Sequence, residues 1–404
     1  MISRRTFLQA AALTPAMFVL PSNGQSTKQD ETVMICVFQR GAVDGLSMAI
    51  PYAESQYYKL RSQISIAPPE AGVDSALKLD EQFALHPALS SFKQRFDQQQ
   101  LVVVPGCGLS RNSRSHFDAQ DFMESGVCCD KQIKDGWMNR VIAEWQSHTP
   151  MTAMALTTST PRILRGSTSV LSIADIAEFE IGERLNQGRL QPNAQAAALL
   201  KSLYQSGPLA AQTDQSFEAL SAIRERKFKT TDQIYPNSPL STAFKSLAQL
   251  IKSNLGVRFA FLEMNGWDTH ANQGAETGQL ANRLYQLSAA IEAFLQDLGE
   301  KQKNVVLLTM SEFGRTVKQN GNFGTDHGHG TTFFALGAVN GGRVTNTFSG
   351  LDKEDLFEQR DVAVNLDYRN VLAEILYHHM GVRDFQKIFP GFEVKQENFA
   401  GIMS

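Results

Sequence analysis

The sequence predicts an α/β fold whose mostly parallel central sheet is covered by helices on both faces. Five short runs of apolar, β-forming residues indicate buried strands, because each run is too short to be a helix. These runs are residues 32–38, 101–104, 257–262, 305–309 and 333–336. Helical patterns lie between them, and continuous apolar strands that alternate with helices are typical of a parallel sheet buried on both faces.

Two amphipathic helices are the clearest helical elements. Apolar residues recur every three or four positions from Leu280 to Leu298, which places them on one face of a helix. A second pattern begins near Val371 and is stopped by Gly381. Residues 175–255 are rich in Gln, Ala, Ser and Lys and show helical periodicity, so we predict a helical insertion there.

Composition excludes several classes of protein. The chain has 404 residues, of which 42% are hydrophobic and 20% are charged, which excludes a disordered chain and an all-membrane chain. The formal net charge of −3 gives no basic excess, so we expect no nucleic-acid partner. Four cysteines cannot form a disulfide scaffold. We expect residues 27–404 to form a single domain. The composition does not predict whether the protein is a monomer or an oligomer.

The first residues are typical of an export signal. Arg4 and Arg5 precede Phe7, and a short apolar run with a polar exit follows. The run is too short to cross a bilayer as a helix. The paired arginines resemble a twin-arginine signal. We predict that residues 1–26 are removed after recognition by the twin-arginine translocase, which places the mature protein in the periplasm or another extracytoplasmic location.

Polar residues gather next to glycine where the predicted strands end or begin. Ligands of open parallel sheets bind outside the carboxyl ends of the strands. The residues at these positions are Asp44, Ser113, Ser115, Asp268, His270, Glu312, Arg315, Asp326, His327 and His329. Histidine and carboxylate ligands together suit zinc, manganese or iron, whereas carboxylates alone suit magnesium or calcium. We expect these side chains to converge on one or two divalent metal ions.

Seven motifs, in order along nearly the whole mature chain, resemble the family of domain-of-unknown-function 1501 proteins. They occupy residues 38–52, 113–126, 135–140, 267–273, 310–321, 324–337 and 366–381. That family is similar to a branch of the alkaline phosphatase and sulfatase superfamily. The resemblance implies a three-layer α/β/α sandwich with a mixed, mainly parallel sheet.

The resemblance also implies roles for individual residues. Asp44, Asp268, His270 and His329 would be metal ligands, with His327 as a competitor for the last position. Ser115, or alternatively Ser113, would be the nucleophile. Glu312-Phe313 stands where the superfamily has an Asp-His pair.

Because a phenylalanine cannot bind metal, one of two metal sites is expected to be lost, or rebuilt with Asp326 or His327. There is no Cys-x-Pro-x-Arg motif, so a formylglycine nucleophile is not expected.

These residues could support the hydrolysis of phosphate or sulfate esters. Metal ions would polarise the ester, Ser115 would attack, and Arg40, Arg111, Arg114 or Arg315 would hold a small anionic substrate. Two readings stay open for individual side chains: Ser115 could simply cap a helix that begins near His116, and Arg315 could pair with Glu312. The alternative function is a non-catalytic, metal-stabilised binding or assembly protein. A serine-hydrolase triad is disfavoured because no Gly-x-Ser-x-Gly motif is present.

Overall fold

The computed structural model describes residues 31–403 except for 146–148, 180–181, 185–189, 204–209, 227 and 229–230. The predicted signal peptide, residues 1–26, lies outside the described residues. No helix in the described part of the chain is long and apolar enough to cross a membrane.

The described strands form a nine-stranded sheet and two small sheets. They are β1 Val33–Arg40, β2 Ala49–Ile50, β3 Leu77–Lys78, β4 Ala84–Leu85, β5 Leu101–Gly108, β6 Ala153–Ala155, β7 Leu171–Ser172, β8 Gly182–Arg184, β9 Leu190–Pro192, β10 Phe259–Asn265, β11 Val305–Met310, β12 Thr331–Gly337, β13 Arg343–Val344 and β14 Leu366–Asp367. The main sheet has the order β13-β5-β12-β11-β1-β10-β6-β7, and β14 pairs with β5.

All five predicted strands are present, and together they form the centre of the main sheet. β1 pairs in parallel with β10 and β11, and β6 continues the parallel arrangement beside β10. β12 runs antiparallel to both of its neighbours, β11 and β5. The sheet is therefore mixed and mostly parallel, as the family resemblance implied.

Helices cover both faces of this sheet. The α-helices are α1 Gly45–Met48, α2 Ser55–Leu60, α3 Ser90–Asp97, α4 His116–Ser125, α5 Trp137–Ala143, α6 Ala194–Leu203, α7 Ala210–Glu225, α8 Pro239–Lys252, α9 Gln279–Leu298, α10 Tyr368–His378 and α11 Phe385–Ile388. The helix predicted from Leu280 to Leu298 is α9, and the one predicted from Val371 lies in α10.

The alternation of side chains along β1 explains the layering. Val33, Ile35 and Val37 point into one core, which they share with α3, α8 and α9. Met34 and Phe38 point into the other core, which is built with α4, α5 and α10. Because successive strand residues face opposite sides, a fully apolar strand must be covered twice. The result is the three-layer α/β/α sandwich.

Residues 175–255 contain the hairpin β8–β9 and the helices α6, α7 and α8. Of these, α8 packs its apolar side, including Phe244 and Leu247, into the core shared with α9. The rings of Phe244 and of Phe294 in α9 are in contact, with 4.8 Å between their centroids. The boundaries of the insertion remain a prediction.

The topology brings four loops to one edge of the sheet. β1, β10 and β11 are parallel and adjacent, so their carboxyl ends meet there. β5 has the same direction because it is antiparallel to β12, and its end leads to α4. Since β12 runs the opposite way, the segment that enters it also lies at this edge.

Candidate metal centre

Three imidazole rings from three different loops meet at this edge. The Nε2 atoms of His116 and His270 each lie 3.0 Å from Nε2 of His327. A carboxylate oxygen of Asp268 lies 3.0 Å from Nε2 of His270 and 3.3 Å from Nε2 of His327. The side chains of His116, Asp268 and His327 offer ligand atoms within 4.8 Å of one another, a group that could hold a metal ion.

A hydrogen bond to a buried carboxylate fixes the orientation of the His116 ring. Its Nδ1 donates to Oε1 of Glu312 at 2.8 Å. Burial would raise the pKa of Glu312, but hydrogen bonds from His116, Gln120 and the backbone outweigh it and lower that pKa. The bond to Glu312 in turn raises the pKa of His116. Glu312 is therefore an ionised acceptor, which places the His116 proton on Nδ1.

The other two rings are oriented in the same way. Nδ1 of His327 donates to the backbone carbonyl of Arg114 at 2.9 Å. Nδ1 of His270 lies 3.2 Å from a carboxylate oxygen of Asp326, whose pKa is lowered by a hydrogen bond from the Asn320 amide. A carbonyl or a carboxylate can only accept, so Nδ1 carries the proton in both rings.

This arrangement leaves the Nε2 lone pair of His327 facing those of His116 and His270 when the rings are neutral. Lone pairs at such short distances repel unless a proton or a metal ion lies between them. Tetrahedral zinc ligands, each about 2.0–2.1 Å from the ion, lie roughly 3.3 Å apart, close to the spacing of these nitrogens. Metal-binding histidines commonly donate their other N–H to a carboxylate or carbonyl, as all three do here. The donor set therefore fits a zinc-type or manganese-type ion.

Asp268 is held in place by a buried guanidinium. Nη2 of Arg315 contacts the Asp268 carboxylate, and burial, which would raise the pKa of Asp268, is outweighed by this contact, so the pKa is lowered. Nε bonds to the backbone carbonyl of Ala42, Nη1 to that of Thr325, and Nη2 also to those of Gly41 and Trp267. The side chain of Arg315 is fully buried, so it does not face a substrate. It pairs with Asp268 and not with Glu312, so neither sequence-based role for it agrees with its position.

Glu312 depends on a close approach of the chain after β1. The N–H of Gly41 donates to Oε1 of Glu312 at 2.8 Å. Gly41 has φ +117°, and a Cβ there would lie 2.7 Å from the backbone nitrogen of Asp268. Glycine is therefore required at this position. Glu312 and Asp326, both predicted as metal ligands, instead contact Nδ1 of His116 and of His270 and orient these rings.

The structure places the predicted metal ligand Asp44 in a buried ion pair. Its carboxylate accepts from Nη1 and Nη2 of Arg61 at 2.6 and 2.9 Å. It also accepts from Oγ of Ser47 at 2.8 Å and from Nε2 of Gln273 at 2.7 Å. Arg61 is fully buried and supplies the positive charge that a metal ion would supply. Asp44 is therefore not part of the imidazole group.

Two further predicted site residues occupy structural positions. Ser115 is the N-cap of α4, and its Oγ accepts from the N–H of Asp118 at 3.4 Å. The ring of His329 is buried and packs against Phe357, with 4.3 Å between centroids. Burial, together with the nearby charge of Arg114, lowers the pKa of His329 to about 4. Neutral and covered, His329 lies outside the group of three imidazoles.

His116 is a candidate ligand that the sequence analysis does not predict. There it only marks the start of a helix after Ser115, although it lies in a motif at a strand end and is itself a possible ligand. Phe313 supports it: the two rings stack at 5.0 Å with 27° between their planes. Phe313 also lies 5.1 Å from the ring of His327. An apolar ring at this position therefore packs against two of the three imidazoles.

Fold and site together define an α/β/α protein with a group of histidines and a carboxylate at the carboxyl edge of its sheet. The chain belongs to the family described as "Protein of unknown function (DUF1501)", whose model matches residues 31–389. A comparison with curated proteins found no match.

Several solved structures are distantly similar. The lipoteichoic acid synthase LtaP of Listeria monocytogenes is 8% identical with a TM-score of 0.37, over 93% of this chain and 75% of that one. The phosphonate monoester hydrolase SpPMH of Silicibacter pomeroyi is 10% identical with a TM-score of 0.35, over 91% and 78%. A mutant alkaline phosphatase of TAB5 is 12% identical with a TM-score of 0.33, over 76% and 92%. Similarity this low says nothing about what this chain binds.

Proposed function

We propose that the protein is an exported, metal-dependent hydrolase of phosphate or sulfate esters. The observation that carries the proposal is the group of His116, Asp268 and His327, whose ligand atoms lie within 4.8 Å of one another, with Nε2 of His270 3.0 Å from Nε2 of His327. Nδ1 of each ring is already bonded to an acceptor. His116, His270 and His327 would hold the metal ion together with Asp268. A bound metal ion would polarise the ester and lower the pKa of a nucleophile.

The protein's own residues would orient the reaction. Arg315 fixes the carboxylate of Asp268, and Glu312 fixes His116. The side chains of Asp268 and His270 are 45% and 44% exposed, so the group faces solvent and a substrate could reach it. The guanidinium of Arg360 is 40% exposed and bonds to the backbone carbonyl of His327 at 2.8 Å, so it would be available to an anionic ester.

A polar cavity beside α4 could accommodate the remainder of the substrate. Its volume is about 340 Å³, and its lining includes Arg40, Phe117, Gln120, Thr160 and Glu263. Phe117 follows His116 directly in sequence, and Gln120 bonds to Glu312, so the cavity adjoins the imidazole group. The size of the cavity is within the usual range for small-molecule sites.

The alternative is a metal-stabilised binding or assembly protein without catalytic activity. Specific contacts favour it: Arg61 neutralises Asp44, and Nε, Nη1 and Nη2 of Arg315 all bond to the protein itself. The carboxylate that the resemblance assigned to a metal ion, and one of the four arginines expected to hold the anion, are thereby engaged elsewhere.

Metal loading separates the two functions. The mature protein would be loaded with Zn²⁺ or Mn²⁺, its metal content measured, and a panel of aryl phosphate and sulfate monoesters and phosphodiesters tested. We expect turnover that disappears with a chelator and returns with metal. Metal binding without turnover of any ester would favour the non-catalytic protein. A chain that binds no metal would refute both.

A further inference from the structure

Gln120, on the first turns of α4, connects the cavity to the imidazole group. Its Nε2 donates to Oε1 of Glu312 at 2.9 Å, and its Oε1 accepts from Nη1 of Arg40 at 2.8 Å. The same Oε1 atom of Glu312 accepts from Nδ1 of His116. Three hydrogen bonds in series therefore lead from Arg40 to the ring of His116.

Arg40 is held rigidly at the far end of this series. Its Nη1 lies 2.9 Å from the nearly buried carboxylate of Glu124, and its Nε lies 2.6 Å from that of Glu263. The guanidinium also lies 4.8 Å from the centre of the Phe38 ring. Held by two carboxylates and an aromatic ring, Arg40 fixes the carbonyl end of the Gln120 amide. This determines which end of the amide donates to Glu312.

We propose that Gln120, oriented by Arg40, is a positioning residue that sets how tightly His116 binds a metal ion. The inference rests on the proposed metal centre and deepens it. An acceptor that already receives a hydrogen bond from a fixed amide can move less, so Glu312 holds the imidazole in one orientation. Direct hydrogen-bond partners of metal-binding histidines, as Glu312 is here, typically change metal affinity by about 10–100-fold when they are replaced. Gln120 acts through Glu312, so we expect the lower end of that range for Gln120. Because Gln120 and Arg40 also line the cavity, the cavity wall and the metal centre share this series of hydrogen bonds.

The test is the substitution Gln120→Met, which keeps the length of the side chain and removes both hydrogen bonds. Zn²⁺ affinity would be measured by competition with a chromophoric chelator, and the Co²⁺-loaded protein would be examined by visible absorption. We expect Zn²⁺ binding weakened about 10-fold, the lower end of that range, and a changed Co²⁺ spectrum. A purely structural role would lower thermal stability but leave the Co²⁺ spectrum of the folded protein unchanged.

The matched control is Gln296→Met on α9. Gln296 is exposed, and its Nε2 donates to Oε1 of Glu292 at 2.7 Å, so the same substitution removes the same kind of bond at a distant surface. We expect wild-type affinity and spectrum for this variant. If Gln120→Met also retains both, the inference is overturned while the metal centre stands.

If Gln120→Met does not fold, Gln120→Glu decides. This variant keeps an acceptor for Arg40 but places a carboxylate against Glu312, and we expect weakened Zn²⁺ binding. Unchanged binding in this variant would overturn the inference. If wild-type protein binds neither Zn²⁺ nor Co²⁺, the proposed function fails and the inference fails with it.

Discussion

Replacing Asp44 distinguishes a metal ligand from a structural carboxylate. The structure assigns it to the buried pair with Arg61, with 1% and 0% of the two side chains exposed. The Asp44→Ala change would leave the guanidinium of Arg61 buried, with bonds only to Ser47 and to the backbone carbonyls of Thr316 and Val317. We therefore expect a large loss of stability and no loss of metal per folded molecule.

The magnitude follows from the burial. Removing one partner of a buried ion pair costs about 3–5 kcal/mol, because the other charge stays uncompensated. With an unfolding entropy of roughly 2.1 cal/mol/K per residue, a chain of this length would melt about 4–6 °C lower. The double variant Asp44→Leu/Arg61→Met removes both charges and should recover part of the loss.

Thermal unfolding and metal analysis of the purified variants provide the assay. Burial would raise the pKa of Asp44, but the charge and hydrogen bonds of Arg61 outweigh it and lower that pKa. A carboxyl with a depressed pKa stabilises the fold above its ordinary pKa, and this stabilisation is lost as the pH falls through the depressed value. The stability gap between wild type and Asp44→Ala should therefore be full near neutral pH and narrow in acid below about pH 4. A variant with wild-type stability and reduced bound metal would refute this reasoning and restore Asp44 as a ligand.

Three further outcomes are expected. His327→Ala should abolish tight metal binding, measured by elemental analysis. His329→Gln should keep the metal, because the ring of His329 packs against a phenylalanine outside the imidazole group. Equal loss of metal in both variants would contradict this placement of the two histidines. Ser115→Ala should leave the metal content unchanged, because the serine caps α4, and loss of bound metal in this variant would contradict that placement. Changing Arg4 and Arg5 to Lys should leave precursor in the cytoplasm, as seen by fractionation, and normal export would refute the twin-arginine assignment.

The fold was predictable because its strands are short apolar runs. Buried strands in the middle of a parallel sheet have no polar face, so β1 and β11 are marked by composition alone. The direction of β12 was not marked in this way, since a strand buried on both faces has the same composition whether it is parallel or antiparallel. The shortest strands, such as β13 and β14, have two residues each and carry no periodicity.

The sequence predicted the location of the candidate site better than it predicted the individual ligands. Strand-end positions indicated Asp268, His270 and His327, which the structure brings together. What sequence could not provide was the identity of the partner that satisfies each charge. Arg61 lies 17 positions after Asp44 and bears no motif, yet its burial decides the role of that carboxylate. His116 was not predicted as a ligand because Ser115, directly before it, matches the nucleophile position that the resemblance implies.

The same contacts predict how many metal ions the protein holds. The superfamily resemblance implies two ions, with Asp44 as a ligand of one and a histidine at the position of Phe313. Here the guanidinium of Arg61 forms an ion pair with Asp44. The ring of Phe313 stacks on His116 and has no atom that can bind metal. Neither position therefore offers a free ligand to a second ion, while His116, Asp268 and His327 form a group that could hold one. Elemental analysis of protein from its native export route should therefore find one transition metal ion per chain, lost on His327→Ala. Two ions per chain would mean that the carboxylate of Asp44 leaves Arg61 when metal binds.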